Sequence, residues 1–277
     1  MKMKGFVCLV VGLTGWYGIL SPARATVYFD DGKEHTIGEV ISDEVEVRAD
    51  AFFGGDTSVR VVLGGSVHAL LAYDGSQIEV DGGEILGNLY AFESTQMAVS
   101  GGEIGHSLAA LGESQVTLSG GVVAHYFDAR GDSKVVVMGG EIGRALNAEE
   151  GCHVEISGAA MLGDLIARDT SEVTVWGGTI RTALHVGSSA QGDDTCVVRL
   201  HGSGFAINGT SVPYGEYDTG GSDSVHGSLS GTLAEGDELD IDLFIYDEAR
   251  LVLVPEPATF ALLALGALAV LRQMRRR

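Results

Sequence analysis

The sequence is poor in proline, in aromatic residues and in positive charge. It has 4 Pro, 7% aromatic residues, and 17 Lys and Arg against 38 Asp and Glu in 277 residues. Its 41 glycines follow no Gly-X-Y period, which excludes a collagen-like chain. No P-loop, zinc-ligand spacing or Ser-His-Asp constellation occurs. Because 45% of the residues are apolar, the chain is too hydrophobic for a disordered acidic protein, and a packed structure is expected.

Positive charge is concentrated at the two ends of the chain. Residues 26–254 contain 10 Lys and Arg and 37 Asp and Glu, a net charge of −27. A body with this charge repels nucleic acid and anionic lipid headgroups, and it attracts divalent cations or basic partners. We expect the acidity mainly to keep an exported protein soluble.

The N-terminal segment, 1–25, has the features of a secretory signal peptide. Two lysines precede an apolar stretch at residues 6–20, and Ala23 and Ala25 form a small-x-small cleavage site. Signal peptidase is expected to cleave here, so that the mature chain begins near Thr26. The alternative is an N-terminal anchor that is retained.

The C-terminal segment, 255–277, combines three features in a fixed order. The tripeptide Pro255-Glu256-Pro257 is followed by an uninterrupted apolar stretch, 258–271. A helix of that length spans roughly 21 Å, less than the roughly 30 Å of a bilayer core, and predicts a short transmembrane helix that is inserted transiently. Basic residues at its end keep that end cytoplasmic, and they are Arg272, Arg275, Arg276 and Arg277.

Together these three features resemble the PEP-CTERM sorting signal. The resemblance implies that an exosortase, a membrane sorting enzyme of bacteria that make extracellular polymer, processes the chain near Pro255-Glu256-Pro257. It also implies that the body is released to the cell surface or attached there.

Between the two ends the sequence repeats with a period of 19. Gly-Gly pairs, with Gly158-Ala159 in one slot, begin at positions 82, 101, 120, 139, 158 and 177. A further pair at Gly64 precedes this series by a slightly shorter step, and Gly202 follows it after a longer one. The longer last step predicts an insertion within the polar stretch 188–194.

Aligned on the first glycine, the repeats show constant apolar columns at positions −4, −2, +3, +7 and +9. The residue between the first two columns varies, which indicates a half-buried β-strand. Copies stacked in register at roughly 4.8 Å merge these columns into one core. The sequence therefore predicts an all-β fold, a parallel β-helix (solenoid) with right-handed coils. The spacing does not fit a left-handed hexapeptide helix, a calcium-binding nonapeptide or a helical repeat.

The two ends of the repeat array differ from its middle, as capping units do. We expect an N-terminal cap with degenerate first coils at 26–63, the regular solenoid at 64–202, and a C-terminal β cap at 203–254 that covers the last coil. The Gly-Gly-x-Ile repeats and the segments 205–217 and 231–254 resemble glycine-rich repeat proteins that commonly precede PEP-CTERM signals. That resemblance implies a solenoid with no agreed enzymatic role.

Two cysteines remain in the mature chain, Cys152 and Cys196. Each lies six positions before its glycine, in a column otherwise filled by Ser and Thr, and one whole coil separates them. The spacing of strands places their Cα atoms roughly 9–10 Å apart, beyond the roughly 7 Å limit of a disulfide. We expect free thiols.

Two stacked pairs of polar residues are candidates for chemistry. His106 and His125 share one column, but no third metal ligand recurs there, and solvated turn residues are the simpler interpretation. Glu84 and Glu103 share another column with Glu141, and stacked carboxylates raise one pKa, as in catalytic pairs. No acid or base accompanies them at a fixed spacing.

The predicted C-terminal cap holds four aspartates that could bind calcium, but their spacing matches no EF-hand loop. Alternation on the wet face of a strand is the simpler interpretation. These residues are Asp237, Asp240, Asp242 and Asp247. The same region holds an N-glycosylation triplet, Asn208-Gly209-Thr210, which carries little weight beside a bacterial sorting signal.

These observations predict a protein without catalytic residues, metal or cofactor. We expect an exosortase-sorted structural or adhesive protein of the cell surface or extracellular matrix, with extracellular polysaccharide or divalent cations as partners. The alternative is a carbohydrate-active β-helix enzyme, either a polysaccharide lyase or a hydrolase.

Replacement of Pro255, Glu256 and Pro257 by alanine is expected to leave an unprocessed, membrane-bound precursor, because the sorting enzyme loses its recognition tripeptide. Cell fractionation followed by mass spectrometry of the C-terminus measures the outcome. Release of this variant at the normal rate would contradict the assignment of the tripeptide.

Overall fold

The computed structural model describes residues 26–49, 56–188, 194–220 and 224–256, and these form strands and turns without a helix. In those ranges, then, no helix is long and apolar enough to cross a membrane. The predicted cleavage site at Ala23 and Ala25 lies outside the described residues. So do the predicted transmembrane helix and several residues of the sorting signal, namely Pro257, Arg272, Arg275, Arg276 and Arg277.

Twenty-seven strands follow one another along the described chain. The first nine are β1 (Thr26–Phe29), β2 (Glu34–Ile37), β3 (Val40–Arg48), β4 (Ser58–Val61), β5 (Ser66–Tyr73), β6 (Gln77–Ile85), β7 (Leu89–Ala91), β8 (Gln96–Ile104) and β9 (Leu108–Ala110). The next nine are β10 (Gln115–Leu118), β11 (Val122–Val123), β12 (Tyr126–Ala129), β13 (Lys134–Val137), β14 (Glu141–Ile142), β15 (Ala145–Ala148), β16 (His153–Ile156), β17 (Ala160–Met161) and β18 (Leu165–Ala167). The last nine are β19 (Glu172–Val175), β20 (Thr179–Ile180), β21 (Ala183–Val186), β22 (Val197–Ile207), β23 (Thr210–Ser211), β24 (Gly215–Tyr217), β25 (Ser224–Leu233), β26 (Glu238–Tyr246) and β27 (Arg250–Pro255).

Strands at the same place in successive coils pair in parallel and form three faces of a β-solenoid with about eight coils. The first face contains β2, β4, the starts of β6 and β8, then β10, β13, β16, β19, the start of β22, and β27. The second face contains the starts of β3 and β5, the ends of β6 and β8, then β11, β14, β17 and β20. The third face contains β1, β3, β5, β7, β9, β12, β15, β18, β21 and β26.

The predicted period of 19 is confirmed by the pairing of strands. From Gln77 to Glu172, each residue of the first face pairs with its counterpart one period further on. The next step, from Glu172 to Val197, is longer, whereas the third face keeps the regular step into β21. The extra residues therefore lie between Val186 and Val197, where the sequence predicted an insertion.

The five apolar columns found in the sequence line the inside of the solenoid. In the coil formed by residues 115–129, every inward side chain is at most 1% exposed. They are Val116, Leu118, Val123, Phe127 and Ala129. Because the next coil places its own five apolar residues directly against these, burial continues along the whole axis.

The second glycine of each pair lies at the turn from the first to the second face, where the backbone leaves little room for a side chain. Gly83 and Gly102 have φ of +75° and +85°, which disfavours a side chain. A Cβ on Gly83 would also lie 2.4 Å from the carbonyl oxygen of Gly65 in the coil before. These glycines therefore provide the turn geometry and allow the close approach of successive coils.

A different kind of residue occupies the turn from the third face to the next coil. Asp74, Glu93, Glu150 and Asp169 have φ between 55° and 59°, and in several coils a carboxylate from the following coil accepts the hydrogen bond of the turn N–H. The distances are 3.2 Å for Asp74 to Glu93, 2.9 Å for Glu150 to Asp169, and 2.6 Å for Asp169 to Asp194. Acidic side chains therefore connect the turns of successive coils.

The C-terminal segment both covers and extends the last regular coil. Past the first face, β22 pairs with β23 across a turn at Asn208-Gly209, whose φ values of 50° and 70° match a two-residue hairpin. Strand β25 then runs antiparallel between the end of β22 and β26. Strands β26 and β27 finally return to the parallel stacks and add a rung to the third and first faces.

Replacing Phe127 by alanine is expected to destabilise the protein by about 3–5 kcal/mol, because a fully buried ring leaves a cavity in a closed core. The neighbouring Tyr126 points outward and is 37% exposed, and its replacement by alanine is expected to cost about 0.5 kcal/mol or less. Thermal and urea unfolding compare the two variants. Equal losses would contradict the assignment of the inward face.

Candidate functional site

The outer surface of the first face carries a shallow trough, a cavity of about 230 Å³. Two rows of outward side chains border it. The first row consists of Gln77, Gln96 and Gln115, and the second of Glu79, Ala98 and Thr117. The small methyl group of Ala98 between two larger neighbours produces the depression.

Strand pairing brings the three glutamines together from successive coils, although they are far apart in the sequence. Gln77, Gln96 and Gln115 are direct partners in three successive coils, and all three are exposed. Neighbouring strands are spaced at roughly 4.8 Å, so the amides repeat at that interval. Gln77 also donates a long hydrogen bond of 3.5 Å to Asp56. The row presents donors and acceptors without charge, on a body that is otherwise acidic.

Aromatic rings on the third face stack on neighbouring side chains, which cover the faces of the rings. The Arg48 guanidinium lies 4.7 Å from the centroid of Tyr73, whose other neighbour, the parallel ring of Phe92, is 4.6 Å away. Near the C-terminal end, His185 stacks on Phe244 with 4.6 Å between centroids. Burial lowers the pKa of His185, despite the nearby Asp164. These side chains serve packing between coils, since Tyr73 offers no open ring face to a ligand.

Stacking of the candidate glutamates is as predicted. Glu84 and Glu103 are direct partners on the second face, and Val122 separates Glu103 from Glu141. Glu84 and Glu103 are both exposed. The structure therefore brings two exposed carboxylates together on adjacent strands.

The candidate histidines also lie in neighbouring coils. The ring centroids of His106 and His125 are 4.5 Å apart in an edge-to-face arrangement. Among the described residues, no group of three or more His, Cys, Asp or Glu side chains is placed to hold a metal ion.

The four aspartates of the C-terminal segment do not act as one group. Asp240 and Asp242 lie on the exposed side of β26, as the alternation predicted. Asp237 instead accepts a 2.7 Å hydrogen bond from the backbone N–H of Gly178. Asp247 lies in a turn with φ of 51°, and its carbonyl oxygen accepts a hydrogen bond from the Thr219 hydroxyl. Asp237 and Asp247 therefore have structural roles in capping and in a turn.

Both cysteines are free and fully buried, as predicted from their column. The residues that follow them pair in register, His153 with Glu172 and Glu172 with Val197, so one coil separates the two thiols. The remaining members of this column are buried hydroxyls, at Thr57, Ser76, Thr95, Ser114, Ser133 and Ser171. Most of these hydroxyls find no hydrogen-bond partner in the described part of the chain, so the position selects for small size.

The described chain ends inside the predicted sorting signal. Strand β27 runs beside β22 in a continuous ladder, whose last pair joins Pro255 to Gly202. One residue further on, the Ser203 hydroxyl donates a 3.0 Å hydrogen bond to Glu256. The first two residues of the tripeptide are therefore part of the folded body.

Comparison with protein families identifies this C-terminal signal. Residues 253–277 match the family model of the PEP-CTERM protein-sorting motif, as the three-part pattern predicted. No match to the chain was found among curated proteins or solved structures. Because the motif directs processing by an exosortase, the chain is an exported β-solenoid protein that is sorted to the cell surface or the extracellular space.

The two thiols are expected to resist alkylation at pH 8 in the folded protein, because burial raises the pKa of Cys152 and of Cys196 to about 12. Iodoacetamide followed by mass spectrometry should label both only after denaturation. A Ser94→Cys variant, exposed beside the same column, is the positive control and should react at once. A disulfide between Cys152 and Cys196 would contradict the register.

Proposed function

We propose that this protein is a non-catalytic structural or adhesive component of the cell surface or extracellular matrix. In this proposal the trough on the first face contacts neutral extracellular polysaccharide. The observation that carries it is the uncharged, in-register row of Gln77, Gln96 and Gln115 on an exported solenoid.

The route of the protein to this location has three steps in the proposal. Signal peptidase cleaves after Ala25, the apolar segment 258–271 holds a precursor in the membrane, and exosortase then processes the chain near Pro255. Both ends of the chain contain an apolar segment, and arginines follow the C-terminal one. These features support this order of steps.

The chemistry of the trough favours a neutral polymer with many hydroxyl groups. Each glutamine amide offers two donors and one acceptor, and the coils repeat this set at roughly 4.8 Å. A polymer that follows the row meets the same group several times, so weak contacts add up. The body charge of −27 disfavours an anionic polysaccharide. Divalent cations remain a second proposed partner, since acidic residues occupy the turns of several coils.

One observation favours the alternative of a carbohydrate-active enzyme. Glu84 and Glu103 lie on adjacent strands, close to the separation of roughly 5–5.5 Å that retaining glycosidases use between carboxyl groups. In that case hydrolysis would require one of them as an acid and the other as a nucleophile.

Simultaneous replacement of Gln77, Gln96 and Gln115 by alanine is expected to weaken binding to a neutral polysaccharide at least about ten-fold, since each lost hydrogen bond contributes about 0.5–1.5 kcal/mol. Affinity electrophoresis against a panel of neutral and acidic polysaccharides measures the effect. His153→Ala, exposed further along the same row of positions, is the matched control and should bind normally.

Unchanged binding by the triple variant would contradict the assignment of the trough. Cleavage of any polysaccharide in the panel, lost on Glu84→Gln or Glu103→Gln, would replace the structural proposal with the enzyme.

A further inference from the structure

The sorting signal begins within the last strand of the fold, without a spacer. Strand β27 forms the final rung of the first face, and its inward side chains Leu251 and Leu253 are at most 2% exposed. Just beyond Leu253, the chain enters the tripeptide at Pro255.

Neighbouring strands occupy both edges of β27 up to Leu253, and one edge from there to Pro255. On one side it pairs in parallel with β22, from Val197 with Arg250 to Gly202 with Pro255. On the other side it pairs antiparallel with β24, from Gly215 with Leu253 to Tyr217 with Leu251. Residues 251–253 therefore cannot offer their backbone to an enzyme while they stay paired, and Val254 and Pro255 are held along one edge by β22.

The carboxylate at the centre of the tripeptide is also held. Ser203 donates its hydroxyl to Glu256 over 3.0 Å, and Ser203 itself is fixed by the pairing of β22 with Thr232 of β25. Both residues are half-buried. The contact thus fastens the central residue of the signal to the antiparallel part of the C-terminal segment.

We propose that the folded solenoid masks the front of its own sorting signal, and that exosortase acts on the fraction of molecules in which the end of β27 has frayed from β22. Ser203 is then a positioning residue, which lowers that fraction by holding Glu256. The proposal concerns access to the signal and leaves the processing reaction itself unchanged. It rests on the sorting of the chain by exosortase.

The physical basis is local unfolding. The end of a terminal strand opens more readily than the core of a fold. When opening and closing are fast compared with cleavage, the rate of proteolysis follows the population of the open form. Loss of one hydrogen bond that exists only in the closed form therefore raises the processing rate directly.

Full-length precursor in a host that has the exosortase provides the test, with pulse-chase measurement of the processed fraction. Ser203→Ala is expected to speed processing about five-fold, the factor that a hydrogen bond of about 1 kcal/mol represents. Ser203→Thr keeps the hydroxyl and should restore the original rate. Ser230→Ala, a half-buried serine on β25 of the same segment, is the control and should process normally.

A reversible lock on the same rung gives an independent measurement. His201 and Val254 are direct partners on β22 and β27, and Cα atoms of adjacent strands lie within the range that a disulfide spans. The double variant His201→Cys and Val254→Cys, oxidised in membranes, is expected to stay unprocessed until reductant is added. His201→Ser with Val254→Ser accounts for the loss of the native side chains, and the native thiols of Cys152 and Cys196 are buried and do not compete.

Each outcome has a distinct meaning. Processing of the oxidised double variant at the normal rate, or slower processing of Ser203→Ala, would overturn the masking of the signal. Absence of processing in the unmodified precursor would instead refute sorting by exosortase, on which the inference rests.

Discussion

Parallel pairing between successive coils is the interaction on which the rest of this protein depends. It fixes the rise per coil at roughly 4.8 Å, and it places each residue directly against its counterpart one period further on. An inward position therefore has to hold side chains of similar size in every coil. Extra residues are accommodated between strands, as between Val186 and Val197, or in a bulge such as the one between Ile41 and Glu44 of β3.

The same stacking imposes a cost on charged side chains, because like charges in one column repel at close range. At the turn that leads into the first face, this repulsion is offset by backbone N–H groups. Asp169 shows both roles, since its carboxylate accepts from Glu150 and its own N–H donates to Asp194. Part of the large negative charge therefore stabilises the turns between coils.

The regular part of the fold could be predicted from the sequence because it is nearly one-dimensional. Alignment of the glycine pairs identified the inward columns, the free cysteines and the place of the insertion. The return of β26 and β27 to the parallel stacks could not be predicted in the same way. Leu243 pairs with Leu184, which lies much earlier in the chain. The two strands share no sequence pattern from which this pairing could be predicted.

Candidate functional features were predictable to different degrees. The sorting signal is contiguous, so the sequence alone identified it, and the pairing of Glu84 with Glu103 followed from the period. The trough depends on the small size of Ala98 relative to its neighbours in other coils, which becomes meaningful only in three dimensions. The Asn208-Gly209 hairpin has a local signal, since this dipeptide favours a two-residue turn.

The way in which β27 ends the fold would also determine how the solenoid responds to tension at its C-terminal end. Tension applied at the C-terminus enters along the axis of β27, parallel to the strand, and all of its pairs with β22, from Arg250 to Pro255, are strained together. Such a shearing geometry resists force better than one in which pairs separate in sequence. A body tethered at this end would therefore transmit pulling forces into the stack of coils before the last strand is drawn out.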